Sequence, residues 1–195
     1  MSSHHIIRDN QEPAIWFVGD DFNDEIIHQL LGWSPIVIAS ESVAELLDTR
    51  GIKLDYILTN EISREKEQQW EHQFPITLEA GADDFQIMNV LLERLQQNAL
   101  YLVGAKLNQL EDYLSRLDSQ LSITIYSNKY KIIPLKKGFK QWFPAGTKIQ
   151  FHGSIDALKF IEKKDDAFCF SKEGTISHTH FHPSNGLVFI QIVND

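Results

Sequence analysis

Three stretches of the chain hold residues whose types and spacing could do chemistry. The first is Leu78-Glu79-Ala80-Gly81-Ala82-Asp83-Asp84-Phe85, where two adjacent carboxylates follow a glycine. Asp83 can accept a backbone N–H as a helix N-cap, and Asp84 then lies in the first turn, where the helix dipole favours negative charge. Capping alone is one reading of the pair. The other is a cation or phosphate–metal site at the carboxyl end of a parallel strand, where open α/β sheets bind ligands. The second stretch is Ser177-His178-Thr179-His180-Phe181-His182. On a strand, His178, His180 and His182 share a face at about 6.5–7 Å intervals, a spacing open to Zn²⁺ or another divalent ion. The bland alternative is a solvent-facing or interface strand with Phe181 turned to the core. The third is Trp142-Phe143 before Pro144, either an aromatic wall for a flat cation or part of a β core.

The elements that must position these residues follow from hydrophobic period. A strand is expected over Phe74 to Leu78, then a helix to about Gln97 with Phe85, Met88, Leu91, Leu92 and Leu95 on one face. Upstream, Ile15-Trp16-Phe17-Val18, Pro35 to Ala39 and Asp55 to Leu58 read as strands. Helices over Asp24 to Leu31, from Ser40 or Ser42 to Gly51, and from Ser63 to His72 alternate with them. Ala99 to Val103 is a fifth strand, and Leu107, Leu110, Leu114 and Leu117 mark a further helix. Such alternation predicts a parallel sheet with right-handed crossovers. After Leu117 only short strand-like runs remain, separated by turn residues such as Ser127-Asn128 and Pro183-Ser184-Asn185-Gly186. The expected fold is therefore α/β plus all-β: residues 1–12 a tail, 13–119 a parallel-sheet α/β domain, 120–195 a small β-sandwich or barrel.

Bulk properties exclude several classes. A net charge of -9 argues against a duplex-binding face, which needs a basic footprint. The one basic concentration, Lys129, Lys131, Lys136, Lys137 and Lys140, reads as a solvated hairpin or an anion-facing edge. No apolar run approaches the roughly 18 residues of a membrane span. The first residues lack a signal-peptide pattern, and the single Cys169 can form no internal disulfide, so a cytoplasmic protein is expected. Cys169 itself reads as a buried, inert thiol, and Trp16, Trp33 and Trp70 offer no site argument.

The order of motifs resembles the thiamine pyrophosphokinase family over about residues 14–193. Val37-Ile38-Ala39-Ser40-Glu41-Ser42-Val43-Ala44 stands where that family has V-I-A-A-D-G-G-A, and Gly51-Ile52-Lys53-Leu54-Asp55 is similar to G-I-K-P-D. At the family's G-D-x-D-S this chain has Thr59-Asn60-Glu61-Ile62-Ser63, so both aspartates are absent. Asp84 matches the last Asp of K-D-x-T-D, with Gly81 in place of the first. Gly104-Ala105 opens the match to G-A-x-G-G-R-x-D-H, whose Arg, Asp and His become Gln109, Glu111 and Asp112. In the β half, Ala157-Leu158-Lys159-Phe160 resembles G-L-K-Y, and Ser171-Lys172-Glu173 resembles S-N-E.

The resemblance implies transfer of a pyrophosphoryl group from ATP to thiamine with Mg²⁺ as cofactor. It implies Asp84, Asp83 and Glu111 as catalytic, with Asp84 and Glu111 on the metal. Glu41, Asn60, Gly104 and Asp112 would meet the nucleotide, and Ser171, Lys172 and Lys159 the thiamine. A homodimer through the β domain is implied too, with small molecules as partners and no nucleic acid or membrane. The departures cut against this. Metal clamps and phosphate-holding cations supply several kcal/mol in such reactions, and each 1.36 kcal/mol is about tenfold in rate. A catalytically inactive or repurposed homologue that binds a thiamine-like or nucleotide ligand is the alternative, and a metal-binding protein using His178, His180 and His182 a further one.

Overall fold

The computed structural model describes residues 12–135, 139–152, 154–155, 161–164, 167–177, 181–182 and 189–193. The chain divides into two compact units, the first ending at Ile123 and the second beginning at Thr124.

Five strands build the first unit: β1 (Ala14–Phe17), β2 (Val37–Ser40), β3 (Tyr56–Thr59), β4 (Thr77–Ala80) and β5 (Ala99–Val103). Their order is β5-β1-β2-β3-β4, and every neighbouring pair is parallel. All four residues of β1 and of β2 are buried, as expected for strands covered on both faces. Five helices connect them: α1 (Asp24–Leu31), α2 (Glu41–Thr49), α3 (Arg64–Gln69), α4 (Asp84–Arg94) and α5 (Leu110–Arg116). Asn23 caps α1 by accepting the Ile26 N–H, and Ile26, Ile27 and Leu30 turn inward. Asp83 caps α4 by accepting the Phe85 N–H, while Phe85, Met88, Leu91 and Leu92 form its buried stripe. Beyond α2, Gly51 takes φ +70°, the left-handed position that ends many helices.

Some expected elements shift; β2 runs Val37–Ser40 rather than Pro35 to Ala39, and the helix expected from Leu107 is a 3-10 turn until Leu110. β4 starts at Thr77 rather than Phe74, because Glu71–Gln73 form a 3-10 turn and Pro75 has no N–H for a ladder. The helix expected to Gln97 stops at Arg94, with Gln96 at φ +55°. The helix expected to His72 ends at Gln69, and none of its residues is buried, so no apolar stripe prolongs it.

The second unit is antiparallel. β6 (Ser122–Tyr126), whose last three residues open this unit, is followed by β7 (Tyr130–Pro134), β8 (Lys140–Phe143) and β9 (Lys148–His152). Then come β10 (Ser154–Ile155), β11 (Ile161–Lys164), β12 (Ala167–Phe170), β13 (Gly174–Ser177), β14 (Phe181–His182) and β15 (Phe189–Val193). One sheet runs β11-β12-β9-β15-β7-β6, and β8–β13 and β10–β14 pair separately. Phe143 and Ile176 of the β8–β13 pair pack with Ile149, Phe170 and Ile190 of the larger sheet, which gives the two layers of a sandwich. Phe143 is therefore core, whereas Trp142 beside it is exposed. Cys169 is half-buried rather than buried. Among the described residues no helix is long and apolar enough to cross a membrane.

At the carboxyl ends of β1 and β5 the backbone itself makes a close contact. A Cβ on Gly104, whose φ is +83°, would stand 2.2 Å from the Gly19 carbonyl oxygen, and one on Gly19 would stand 2.6 Å from that of Gly104. Gly51 has a similar φ and nothing within 4 Å. Gly104→Ala is accordingly expected to cost at least about 2 kcal/mol in urea unfolding, and Gly51→Ala about 1 kcal/mol. Equal losses would mean that the backbone contact contributes nothing.

Candidate functional site

Polar groups converge where β1, β2 and β3 end and α4 begins. Trp16, 1% exposed in β1, donates its Nε1–H to Ser40 Oγ at 3.2 Å. Ser40, 6% exposed at the end of β2, donates in turn to Asp84 Oδ2 at 2.6 Å. Ser40 occupies the N-cap position of α2, yet its hydroxyl makes no cap bond and serves Asp84 instead. Burial pushes the Asp84 carboxyl above its ordinary range; the Ser40 hydrogen bond works against that, and the neighbouring charges of Asp83 and Glu41 add to it. Edge-to-face packing of Trp16 on Phe85, with centroids 5.3 Å apart, holds the start of α4 against β1.

Two cations flank this centre. On the α3 side, Lys66 Nζ lies 2.6 Å from Glu41 Oε1 and donates to Thr59 Oγ1 at 2.7 Å. Thr59 donates to Glu41 Oε2 at 2.6 Å. Burial alone would raise Glu41, but the hydrogen bonds from Lys66 and Thr59, the Lys66 charge and the Asn60 N–H together hold it below its ordinary range. On the α5 side, Arg116 Nη2 lies 2.6 Å from Asp83 Oδ1, and the guanidinium sits 4.1 Å from the Phe85 ring centroid. Asp112 Oδ2 is 3.6 Å from Arg116 Nη1.

The structure thus gathers Asp84, Asp83 and Glu41 from the expected site residues. Asn60 is exposed and contributes only its backbone N–H, to Glu41. Gly104 has a packing role against Gly19, and Asp112 pairs with Arg116. Glu111 lies exposed on the first turn of α5. Among the described residues no group of three or more His, Cys, Asp or Glu side chains could hold a metal ion. Asp83 and Glu41 already face cations of the protein. Ser171 and Lys172 are exposed between β12 and β13 in the second unit. Lys159, His178 and His180 lie outside the described residues; of the histidine stretch, His182 pairs with Ser154 in β14–β10. Sequence reasoning missed Trp16, Thr59, Lys66 and Arg116, and assigned Ser40 only a cap. Chemically, the site offers a carboxyl that burial pushes above its ordinary range and two cations that a stronger anion could draw from their carboxylates.

A parallel α/β sheet with polar groups at its strand ends, followed by an antiparallel sandwich, defines the class of architecture. Comparison with solved structures finds that pairing in thiamine pyrophosphokinases. The Bacillus subtilis enzyme has a TM-score of 0.61 and 14% identity, covering 93% of this chain and 99% of its own. The Geobacillus thermodenitrificans enzyme gives 0.59 and 14%, covering 93% and 98%. The Candida albicans enzyme gives 0.60 and 10%, covering 96% and 90%. No family model and no curated protein matches the sequence. The chain therefore has the thiamine pyrophosphokinase fold over nearly its whole length, at an identity that speaks for fold alone.

The raised Asp84 carboxyl has a consequence for stability. The folded state keeps this proton to higher pH than the unfolded chain does, so stability falls as pH rises from the ordinary value of 3.8 through the raised one. Asp84→Asn removes that penalty. At pH 7 it is expected to stabilise the protein, by a margin that the water reaching a half-buried group reduces. The margin should vanish below pH 3.8, as followed by urea unfolding across pH. A less stable variant at pH 7 would contradict the assignment.

Proposed function

We propose that this chain binds a thiamine-type or nucleotide-type small molecule at the strand ends of its α/β unit without transferring pyrophosphate. The observation that supports the reading is the commitment of the site's carboxylates to the protein. Glu41 is held by Lys66 and Thr59, Asp83 by Arg116, and Asp84 by Ser40. These residues do not fit Mg²⁺, so no reaction step is assigned to it. Lys66 and Arg116 are the groups that would take a ligand's phosphate, Arg116 with the planar fork suited to bidentate contact. By analogy with the fold, Ser171 and Lys172 of the sandwich would meet a thiamine ring. The proposal includes a homodimer in the cytoplasm.

A second reading keeps the ATP-dependent thiamine kinase and is favoured by one observation. Asp84, a carboxyl displaced from its ordinary range, sits at the carboxyl ends of parallel strands, and displaced carboxyls cluster at catalytic sites.

Calorimetric titration with thiamine, with thiamine diphosphate and with Mg²⁺ plus a non-hydrolysable ATP analogue separates the two. The first reading expects at least one ligand to bind while ATP and thiamine yield no AMP. Lys66→Ala should weaken a phosphorylated ligand about tenfold or more, the scale of one charge-assisted hydrogen bond, and leave thiamine affinity unchanged. AMP release that disappears in Asp84→Asn would establish the kinase instead. Binding of none of the three would overturn both.

A further inference from the structure

We propose that the edge of β4, unpaired among the described residues, is a docking strand for an extended segment of a partner protein that carries an apolar and a basic residue two positions apart, on one face. This surface lies apart from the strand-end site, and the inference does not depend on the function proposed for that site.

β4 is the last strand in its sheet order and, among the described residues, pairs only with β3. Thr77 N–H donates to the Asp55 carbonyl at 2.9 Å, and Gly81 N–H to that of Thr59 at 3.1 Å. Backbone groups alternate in direction along a strand, so those of Leu78 and Ala80 point away from β3, toward the open edge. Natural edges are blunted by shortness, charge, Pro or a bulge; Thr77–Ala80 is short, at four residues, but contains neither Pro nor Lys. Its one charged side chain, Glu79, is paired with Arg94.

Beside this edge lies a cleft of about 380 Å³ whose apolar lining includes Ile62, Trp70, Phe74 and Ile76. Phe74 is 81% exposed and Ile62 50%, although both are large apolar side chains. The charged residues of the lining are Glu67 and Glu71, both exposed and neither ion-paired among the described residues. That charge selects the occupant. A second copy of the chain would bring its own Glu67 and Glu71 to the same edge, and like charges in close juxtaposition disfavour the complex. A segment bearing Lys or Arg neutralises them. Strand addition supplies main-chain hydrogen bonds to Leu78 and Ala80, and alternate side chains give selectivity. Residues two apart share a face of a strand, so one apolar side chain would enter the cleft and a basic residue two positions away would face the carboxylates.

The test is an amide NMR titration of the full chain with acetyl-Thr-Lys-Thr-Ile-Thr-Lys-amide, whose lysines and isoleucine share one face of a strand. The same peptide N-methylated at alternate residues is the backbone control, and its Glu-for-Lys counterpart the charge control. Saturable shifts at the Ile76, Leu78 and Ala80 amides are expected. Affinity should fall about tenfold or more for the N-methylated peptide, for the acidic peptide, and for the Glu67→Lys/Glu71→Lys variant. Should Leu78→Pro, which removes an outward N–H, fold normally, it should lose the peptide as well. Shifts that spread over the acidic surface without saturating would overturn the proposal, as would unchanged binding of the N-methylated peptide. So would a concentration-dependent dimer that protects those same amides, which would give the edge to a second copy.

Discussion

The buried relay from Trp16 through Ser40 to Asp84 is the constraint around which the α/β unit is arranged. It ties the middle of β1 to the end of β2 and both to the first turn of α4, across sequence separations of 24 and 44 residues. A carboxylate half-withdrawn from water beside two others is costly unless donors face it. Ser40 supplies one donor, and its orientation depends in turn on the indole N–H behind it. Hydrogen bonds arranged in series polarise one another in a low-dielectric setting, so the relay is stronger whole than in parts. The Phe85 ring joins polar and apolar layers, packing on Trp16 from one side while carrying Arg116 on the other.

Electrostatically, the site is a set of carboxylates whose charge the protein partly compensates itself. Lys66 and Arg116 stand where a phosphate-binding site needs positive charge, yet each is occupied by a carboxylate at 2.6 Å. A ligand phosphate must compete with those pairs, and the displaced Glu41 and Asp83 must then find water or a counter-ion. The net binding energy is therefore a difference between two ion-pair arrangements, each only partly shielded from solvent.

Much of the fold was legible in the sequence because it rests on local period. The bounds of α1 and β5 coincide with the apolar runs that mark them, and the Asp83 cap follows from its place before Phe85. β4 was displaced because the apolar count gave Phe74 and Ile76 to a strand although Pro75 lies between them. The site was only half legible. Asp83 and Asp84 are conspicuous as a pair, but Trp16 reads as one more core aromatic, Ser40 as a cap and Lys66 as one charge on a polar helix. Their partners come from other elements, and no local spacing encodes such meetings. Glu111 shows the converse: a carboxylate in motif register that the short α5 leaves facing solvent.

The α3 helix shows how such a site can be both formed and yielding. It has six residues and none buried, so it is held without an apolar stripe of its own. What anchors it is Trp70 packed beneath its end, the Ser63 cap, the Gln69–Glu45 hydrogen bond at 3.0 Å, and the Lys66 contacts to Glu41 and Thr59. Two of these four anchors are charge-assisted or amide contacts at an exposed or half-buried surface, worth far less than the four buried side chains that fix α4. Any anion that draws Lys66 away from Glu41 removes one of them, so ligand affinity at the strand ends and the anchoring of α3 are two sides of one equilibrium. By linkage, the Lys66–Glu41 pair and a ligand that takes Lys66 from it weaken each other by the same factor.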